Sequence, residues 1–318
     1  AAATQKVRTD SFNVTLSALG DTLILILPLP WLFIGAGLLL GGLRSAHEYS
    51  LIIAVGLQTV GHTLLFLGTL RQICRGKGLA RVHLQWQPVL CDHLSTQARW
   101  LLPLAVPLAF LASVGALAVP SAFVQLATMV QADEAGLLSL GRLASITLMV
   151  LMMIAIYRVW HKNSPVMQAM AGTPDRGKWL SYHILWFGPA MLIPFSLALA
   201  ALSGFYYTTA FLSAKAGETL WFVIVLVLLK DLLLRGLYVT QRRLRFEEAL
   251  RYREEMNAQR AAADEQAAPE GENLPLEEDK VNYGQLGEQV SRLVRLGYTV
   301  GLLVGLWLIW KEAIPAAS

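Results

Sequence analysis

The chain has 318 residues, of which 55% are hydrophobic and only 15% charged, against about 45–50% and about 25% in soluble domains. Mean hydropathy is +0.50, and several apolar blocks exceed the roughly 18 residues that mark a bilayer span; this excludes a soluble enzyme, a disordered chain and a disulfide scaffold. The net charge of +4 does not point to nucleic acid, because the basic residues gather in alternate loops.

The first ten residues, Ala1 to Asp10, hold neither an initiating Met nor the apolar core of a signal peptide. The last, Ile314 to Ser318, follow directly on a hydrophobic segment. Both ends read as cuts through a longer chain. After a lead-in over 1–21, the apolar runs predict seven transmembrane helices, at 22–43, 49–70, 100–119, 137–160, 179–202, 219–240 and 293–312. The expected fold class is an all-α integral membrane protein. No run alternates as a barrel strand does, and an open sheet edge in lipid leaves its backbone groups unsatisfied.

Pro28 and Pro30 fall in the first helix, Pro103 and Pro107 in the third, Pro189 and Pro194 in the fifth. The second, fourth and sixth have no interior proline. Residues 22–240 therefore read as a six-helix region of three hairpins, each a proline-bearing helix and a straighter return. An interior proline removes a backbone hydrogen bond and kinks its helix. Prolines are also simply more frequent in membrane helices, and both readings stand at this point. Residues 241–291 begin as a charged helix, with Arg243/Glu247, Glu247/Arg251 and Arg251/Glu255 spaced to pair at i,i+4. They continue as an acidic linker around 262–282 with Pro269, Gly271 and Pro275. The seventh helix, within 292–313, is expected to stand apart from the other six.

Loop charges set the expected topology. Arg71, Arg75, Lys77, Arg81 and Arg99 lie between helices two and three; Arg158, Lys162, Arg176 and Lys178 between four and five; Arg242, Arg243, Arg245, Arg251, Arg253 and Arg260 after six. The intervening loops are poor: 120–136 has no Lys or Arg and 203–218 only Lys215. The positive-inside rule makes the rich loops cytoplasmic. The N-terminus is then inside and the C-terminus outside, as an odd number of spans requires. Trp100, Trp160, Trp179 and Trp221 sit at expected span ends, as interfacial anchors or as packing residues.

Three polar groups stand out. Cys74, His83, Cys91 and His93 share one cytoplasmic loop, but their spacing is not that of a zinc site, and a disulfide is disfavoured on the reducing side of the membrane. No metal and no cofactor is expected, and the stretch 79–94 reads as amphipathic and surface-lying. Gln58 and His62, four apart near mid-membrane, share a face; a proton relay and interhelical hydrogen bonding are the two readings. Lys230, Asp231 and Arg235 interrupt helix six. Asp231 and Arg235 are spaced to pair at i,i+4, and the trio reads either as an ion or substrate site or as a structural pair with snorkelling cations. No hydrolase, metalloprotease or phosphate-loop motif is present, so no enzyme is expected.

Several short stretches carry a resemblance. They are Arg8-Thr-Asp-Ser-Phe12, Leu70-Arg-Gln-Ile-Cys-Arg-Gly-Lys-Gly-Leu79 with His83 and Trp86, Arg99-Trp-Leu-Leu-Pro-Leu-Ala-Val-Pro107, Leu140-Gly-Arg-Leu143 and Arg242-Arg-Leu-Arg-Phe-Glu-Glu-Ala-Leu250. In this order the chain resembles the transmembrane region of the large MscS-type mechanosensitive channels, the MscK/MscM kind, of Gram-negative bacteria. The resemblance implies a bacterial inner-membrane protein and a homoheptamer whose partners are membrane lipids. It also implies a family topology of eleven membrane helices, of which this chain holds the second to eighth. The Gly/Ala-rich pore helix and the cytoplasmic vestibule are outside it. The implied function is a peripheral, lipid-facing region of a channel that opens under membrane tension for osmotic protection. The alternative is a secondary transporter with a midplane polar site, which would want inverted repeats and broken helices.

Overall fold

The computed structural model describes residues 12–42, 48–116, 134–171, 183–265 and 283–311. All secondary structure among them is helical. In chain order the helices are α1 (Phe12–Ile26), α2 (Pro28–Gly42), α3 (Glu48–Ile73), α4 (Leu79–Val82), α5 (Pro88–Ala116), α6 (Glu134–Trp160), α7 (Pro165–Ala171), α8 (His183–Leu202), α9 (Tyr206–Glu265) and α10 (Tyr283–Trp310).

Local chemistry sets several of the ends. Proline opens α2, α5 and α7, where its missing N–H is no loss and its fixed φ suits the first turn. Ser164 caps α7: its Oγ accepts a hydrogen bond from the Met167 amide at 3.2 Å. Between α8 and α9 the chain turns through Gly204 at φ +98. The Phe205 amide donates to the Ala200 carbonyl at 2.9 Å and the Gly204 amide to Ala201 at 3.3 Å. This is the paired closure that satisfies the last carbonyls of a helix and wants glycine in the left-handed position.

The expected all-α membrane fold holds, but the seven spans do not all reappear as long apolar helices. Among the described residues four stretches are long and apolar enough to cross: Ser50–Ile73, Pro88–Ala116, Leu138–Ala169 and Gln289–Trp310. A fifth forms if α1 and α2, bent by 49° at their junction, count as one span. At the expected fifth span, α8 is described from His183 to Leu202. The expected sixth span lies inside α9, where Lys230, Asp231 and Arg235 break the apolar run.

The boundaries also move. Helix begins at Phe12 rather than 22, α5 begins at Pro88 rather than 100, and α10 begins at Tyr283 rather than 293. The expected loop 203–218 shrinks to 203–205, and α9 runs on through the charged stretch to Glu265. Of the expected linker, 266–282 lies outside the described residues.

The chain divides into two compact units, 17–221 and a second made of 1–16 with 222–318. In the first, α2 packs on α3, α3 on α5, α5 on α6 and α6 on α8. The helices pack in series, both within the expected hairpins and from one to the next. At the centre Leu67 of α3, Leu101 and Ala105 of α5 and Ala155 of α6 form a core, surrounded by Phe66, Trp100, Leu102, Leu148 and Leu151. In the second unit, α10 packs along the part of α9 that follows Phe222. The seventh predicted helix thus falls in this second unit beside the later part of the sixth, and not in the 17–221 unit.

Candidate functional site

Glycines set how closely the helices approach. Where α2 crosses α3, a Cβ on Gly37 would lie 2.5 Å from the Ala54 carbonyl oxygen and 2.7 Å from Gln58 Cγ. One on Gly61 would meet Ile34 Cγ1 at 2.5 Å and the Pro30 carbonyl oxygen at 2.9 Å. Gly56 faces the ring of Phe110, which joins α3 to α5. At the α5–α6 crossing a Cβ on Gly141 would come within 2.6 Å of the Gly115 Cα. Small residues at such crossings let backbones touch, which is how membrane helices associate without a hydrophobic driving force between them. Tyr206 locks the same end: its hydroxyl donates to the Ala112 carbonyl at 2.7 Å and receives the Ser145 hydroxyl at 3.4 Å.

The prolines behave in two ways. Pro28 and Pro30 have no N–H for the carbonyls of Ile24 and Ile26, and the helix breaks at Leu27 with the 49° bend. Pro30 is buried, its carbonyl against Gly61, while Pro28 is exposed. Pro103 and Pro107 lie inside α5, and Pro189 and Pro194 inside α8, and both helices run through them without a break. Of these four only Pro194 is buried.

The polar groups are placed as follows. His62 Nδ1 stands 2.7 Å from the backbone carbonyl of Gln58, the geometry of a ring N–H donating one turn back. His62 itself is exposed, while the Gln58 side chain packs toward Gly37. Lys230 Nζ lies 3.1 Å from Asp231 Oδ1 and 5.2 Å from the ring centroid of Tyr298 on α10. Arg235 is buried in the same unit. Further out, Arg243 Nε pairs with Glu247 at 3.1 Å as the spacing predicted.

Down α9 and up α10 the contacts keep one antiparallel register. Phe222 meets Gly305, Leu226 meets Gly301, and Lys230 meets Tyr298. A Cβ on Gly305 would run into the Phe222 ring, one on Gly301 would stand 3.7 Å from Leu226 Cδ1, and one on Gly297 would find open space. Sequence reasoning missed this pairing, although Gly297, Gly301 and Gly305 are spaced four apart, a recognisable small-residue stripe. Along α10, Leu293, Leu296, Val300, Leu303 and Trp307 are exposed.

The loop between α3 and α5 is compact. Leu79, Ala80 and His83 are buried, and the stretch 79–94 divides between the short α4 and the start of α5 at Pro88. Arg81 holds Asp92 at 2.8 Å across the loop. Cys74 and Cys91 are both buried, and the neighbouring Cys91 with burial pushes the Cys74 thiol up from its ordinary range. Among the described residues no three of His, Cys, Asp and Glu converge as metal ligands would. Trp100 packs against the core, with Arg158 Cζ 5.3 Å above its ring. Trp221 stands edge-on to Phe66 at 5.7 Å. Trp179 lies outside the described residues.

Comparison with known proteins gives a consistent result. The chain is similar to the miniconductance mechanosensitive channel MscM of Escherichia coli (strain K12), with 29% identity over 326 residues, 98% of this chain and 27% of the relative. It is also similar to the mechanosensitive channel MscK of the same organism, with 31% identity over 127 residues, 40% of this chain and 10% of the relative. The chain therefore spans about a quarter of the length of MscM. No solved structure matches it. Both relatives are named as channels, and neither name supports a transporter or an enzyme. The family described as mechanosensitive ion channel inner membrane domain 1 matches residues 1–318, so this multi-pass inner-membrane chain belongs to that MscS-type family.

Proposed function

We propose that this chain is the peripheral, lipid-facing transmembrane region of a mechanosensitive channel that opens under membrane tension and relieves osmotic shock. The observation that carries the reading is the family match along the whole chain. The exposed apolar side chains support it: Leu38 and Leu39 on α2, Leu192 and Ile193 on α8, Leu303 and Trp307 on α10. On spanning helices such side chains contact lipid. Tension favours the state with the larger in-plane area, and hydrophobic mismatch costs fractions of a kcal/mol per Å. A ring of such helices biases a two-state gate to the extent that its lipid contacts differ between the states. In this reading seven spans run from a cytoplasmic N-terminus to a periplasmic C-terminus, and the channel is a homoheptamer. The break at Pro28 and Pro30 supports a shaped ring. Pro103, Pro107, Pro189 and Pro194 are proposed to contribute further bending.

The test exchanges this chain for the matching segment of Escherichia coli MscM and records from membrane patches. The opening tension should move while the single-channel conductance stays the same. Replacing Pro103 and Pro107 together by alanine in that chimera restores two backbone hydrogen bonds and favours a straight helix, and the threshold should move again. An altered conductance would place the chain in the pore and overturn the reading. An unchanged threshold at normal expression would remove the prolines from it.

Orientation has its own check, with single cysteines at Gln168 and Gln131 on a background lacking the native cysteines. A membrane-impermeant thiol reagent added to intact cells should label position 131 and spare 168, because the basic loops are cytoplasmic. The opposite pattern reverses the topology.

A further inference from the structure

Leu67 of α3, Leu101 of α5 and Ala155 of α6 share one core layer, with Trp100 against it. Just beyond that layer each of the three helices carries an arginine. Arg71 is in the last turn of α3 and Arg158 in the last turn of α6. Arg99 precedes Trp100 in α5. At about 1.5 Å per residue, all three positions fall about one turn or less past the core layer. All three are exposed, as are Arg75 and Lys77 after α3 and Lys162 after α6. Arg158 Cζ stands 5.3 Å above the Trp100 ring, and the indole N–H donates to Gln97 Oε1, which fixes the ring beneath the cation. Carboxylates do not balance this charge. Residues 71–116 hold one, Asp92, which Arg81 engages at 2.8 Å, and 158–171 hold none. Among the described residues, Arg71, Arg75, Lys77, Arg99 and Lys162 make no ion pair, and the contact of Arg158 is the ring. An apolar track leads up to Arg158: Val150 and Ile154, each four residues apart on the same face of α6, are exposed.

We propose that this end of α3, α5 and α6 binds an anionic phospholipid, with Arg158 as the positioned donor to its phosphate and Arg71 and Arg99 supplying charge at the same level. A guanidinium offers a planar fork of N–H donors that matches a phosphate two oxygens at a time. Resting on the Trp100 face, Arg158 loses less freedom on binding than a free side chain would, and its donors stay open to an anion. The Val150–Ile154 track gives an acyl chain an apolar path directly below the headgroup. That continuity selects a lipid over a dissolved phosphate, which has no use for it. Basic sites between helices on the cytoplasmic side of a membrane hold acidic headgroups in this way. In the orientation proposed above, the site faces the inner leaflet. A lipid held here couples the composition of that leaflet to the packing of three helices. The consequence for gating rests on the function proposed above; the binding itself does not.

The experiment reconstitutes the whole chain in phosphatidylcholine bilayers and adds a trace of spin-labelled phosphatidylglycerol or spin-labelled phosphatidylcholine. The motionally restricted fraction of each label gives its association with the protein. The unaltered chain should prefer phosphatidylglycerol. Arg158→Gln should lower that preference about fivefold, as the loss of one cation near a lipid headgroup implies. Arg158→Gln with Arg99→Gln should bring it to the level of phosphatidylcholine. Arg158→Lys keeps the charge without the fork and should fall between. Arg251→Gln with Arg253→Gln removes two charges from the charged stretch of α9 and should change nothing. Equal association of the two lipids with the unaltered chain would overturn the proposal, a result that needs no variant to fold. So would an equal fall in the α9 control, which would make the preference one of net charge. Displacement of phosphatidylglycerol by inorganic phosphate would make this a dissolved-anion site and overturn the lipid assignment. In reconstituted MscM chimera, raising the phosphatidylglycerol share should move the opening tension, and Arg158→Gln should abolish that shift. Lipid that binds without moving the tension would overturn the gating consequence alone.

Discussion

Replacing Gly37 by alanine should destabilise the α2–α3 crossing of the 17–221 unit. The added Cβ meets the Ala54 carbonyl oxygen at 2.5 Å, and a main-chain atom inside a helix cannot rotate aside. The two helices must separate or shift, and overpacking of this kind costs about 1–3 kcal/mol. Gly61→Ala should cost less. Its nearest neighbour is Ile34 Cγ1, the movable part of a side chain, although the Pro30 carbonyl follows at 2.9 Å. Gly35 and Gly42 on the same helix as Gly37 have nothing within 4 Å. Alanine at either should be neutral or stabilising by up to about 1 kcal/mol through helix propensity. Unfolding of the purified chain in mixed micelles, followed by tryptophan fluorescence, gives the order directly. Equal stabilities for Gly37→Ala and Gly35→Ala would mean that α2 and α3 do not cross at Gly37.

How far the sequence revealed this arrangement depends on the range of the interaction. Apolar runs mark the existence of helices because burial in lipid needs a continuous stretch. The spacing of Arg243 and Glu247 foretold both a pair and a continuing helix because the contact lies within one turn. Helix starts were misjudged wherever an amphipathic flank precedes the apolar run: Pro88 opens α5 twelve residues before the hydrophobic block expected at 100. Composition gives no warning there, although a proline at the first helical position does. The partners of Gly37, Gly61 and Gly305 depend on the register between two helices, which no local pattern states. Gln58 shows the limit of reasoning from polarity. It is polar at mid-membrane, as a functional group would be, yet its Cγ packs toward Gly37 and its backbone carbonyl faces the His62 ring.

Gly305→Leu should separate α10 from α9. Here the obstacle is the Phe222 ring, met head-on by any side chain at 305. The remaining contacts, Gly301 with Leu226 and Tyr298 with Lys230, follow in the same register, so a displacement at 305 propagates along the pair. Cysteines at Leu226 and Gly301, with the native cysteines replaced by serine, should cross-link readily through a short bis-maleimide. At an overpacking cost of about 1–3 kcal/mol, with 1.4 kcal/mol per factor of ten, Gly305→Leu should lower the cross-linked fraction about tenfold. Adding Phe222→Ala removes the ring and should recover most of it. Gly297→Leu, at a position with open space, should leave it unchanged. Undiminished cross-linking in Gly305→Leu, or no recovery with Phe222→Ala, would show that the glycine stripe does not seat α10. If the stripe does seat it, the same variants in the MscM chimera separate two roles for this helix. A tension threshold that shifts with Gly305→Leu and returns with Phe222→Ala makes the α9–α10 contact a path by which lipid-facing helices bias the gate. A threshold that follows neither variant confines the contact to stability.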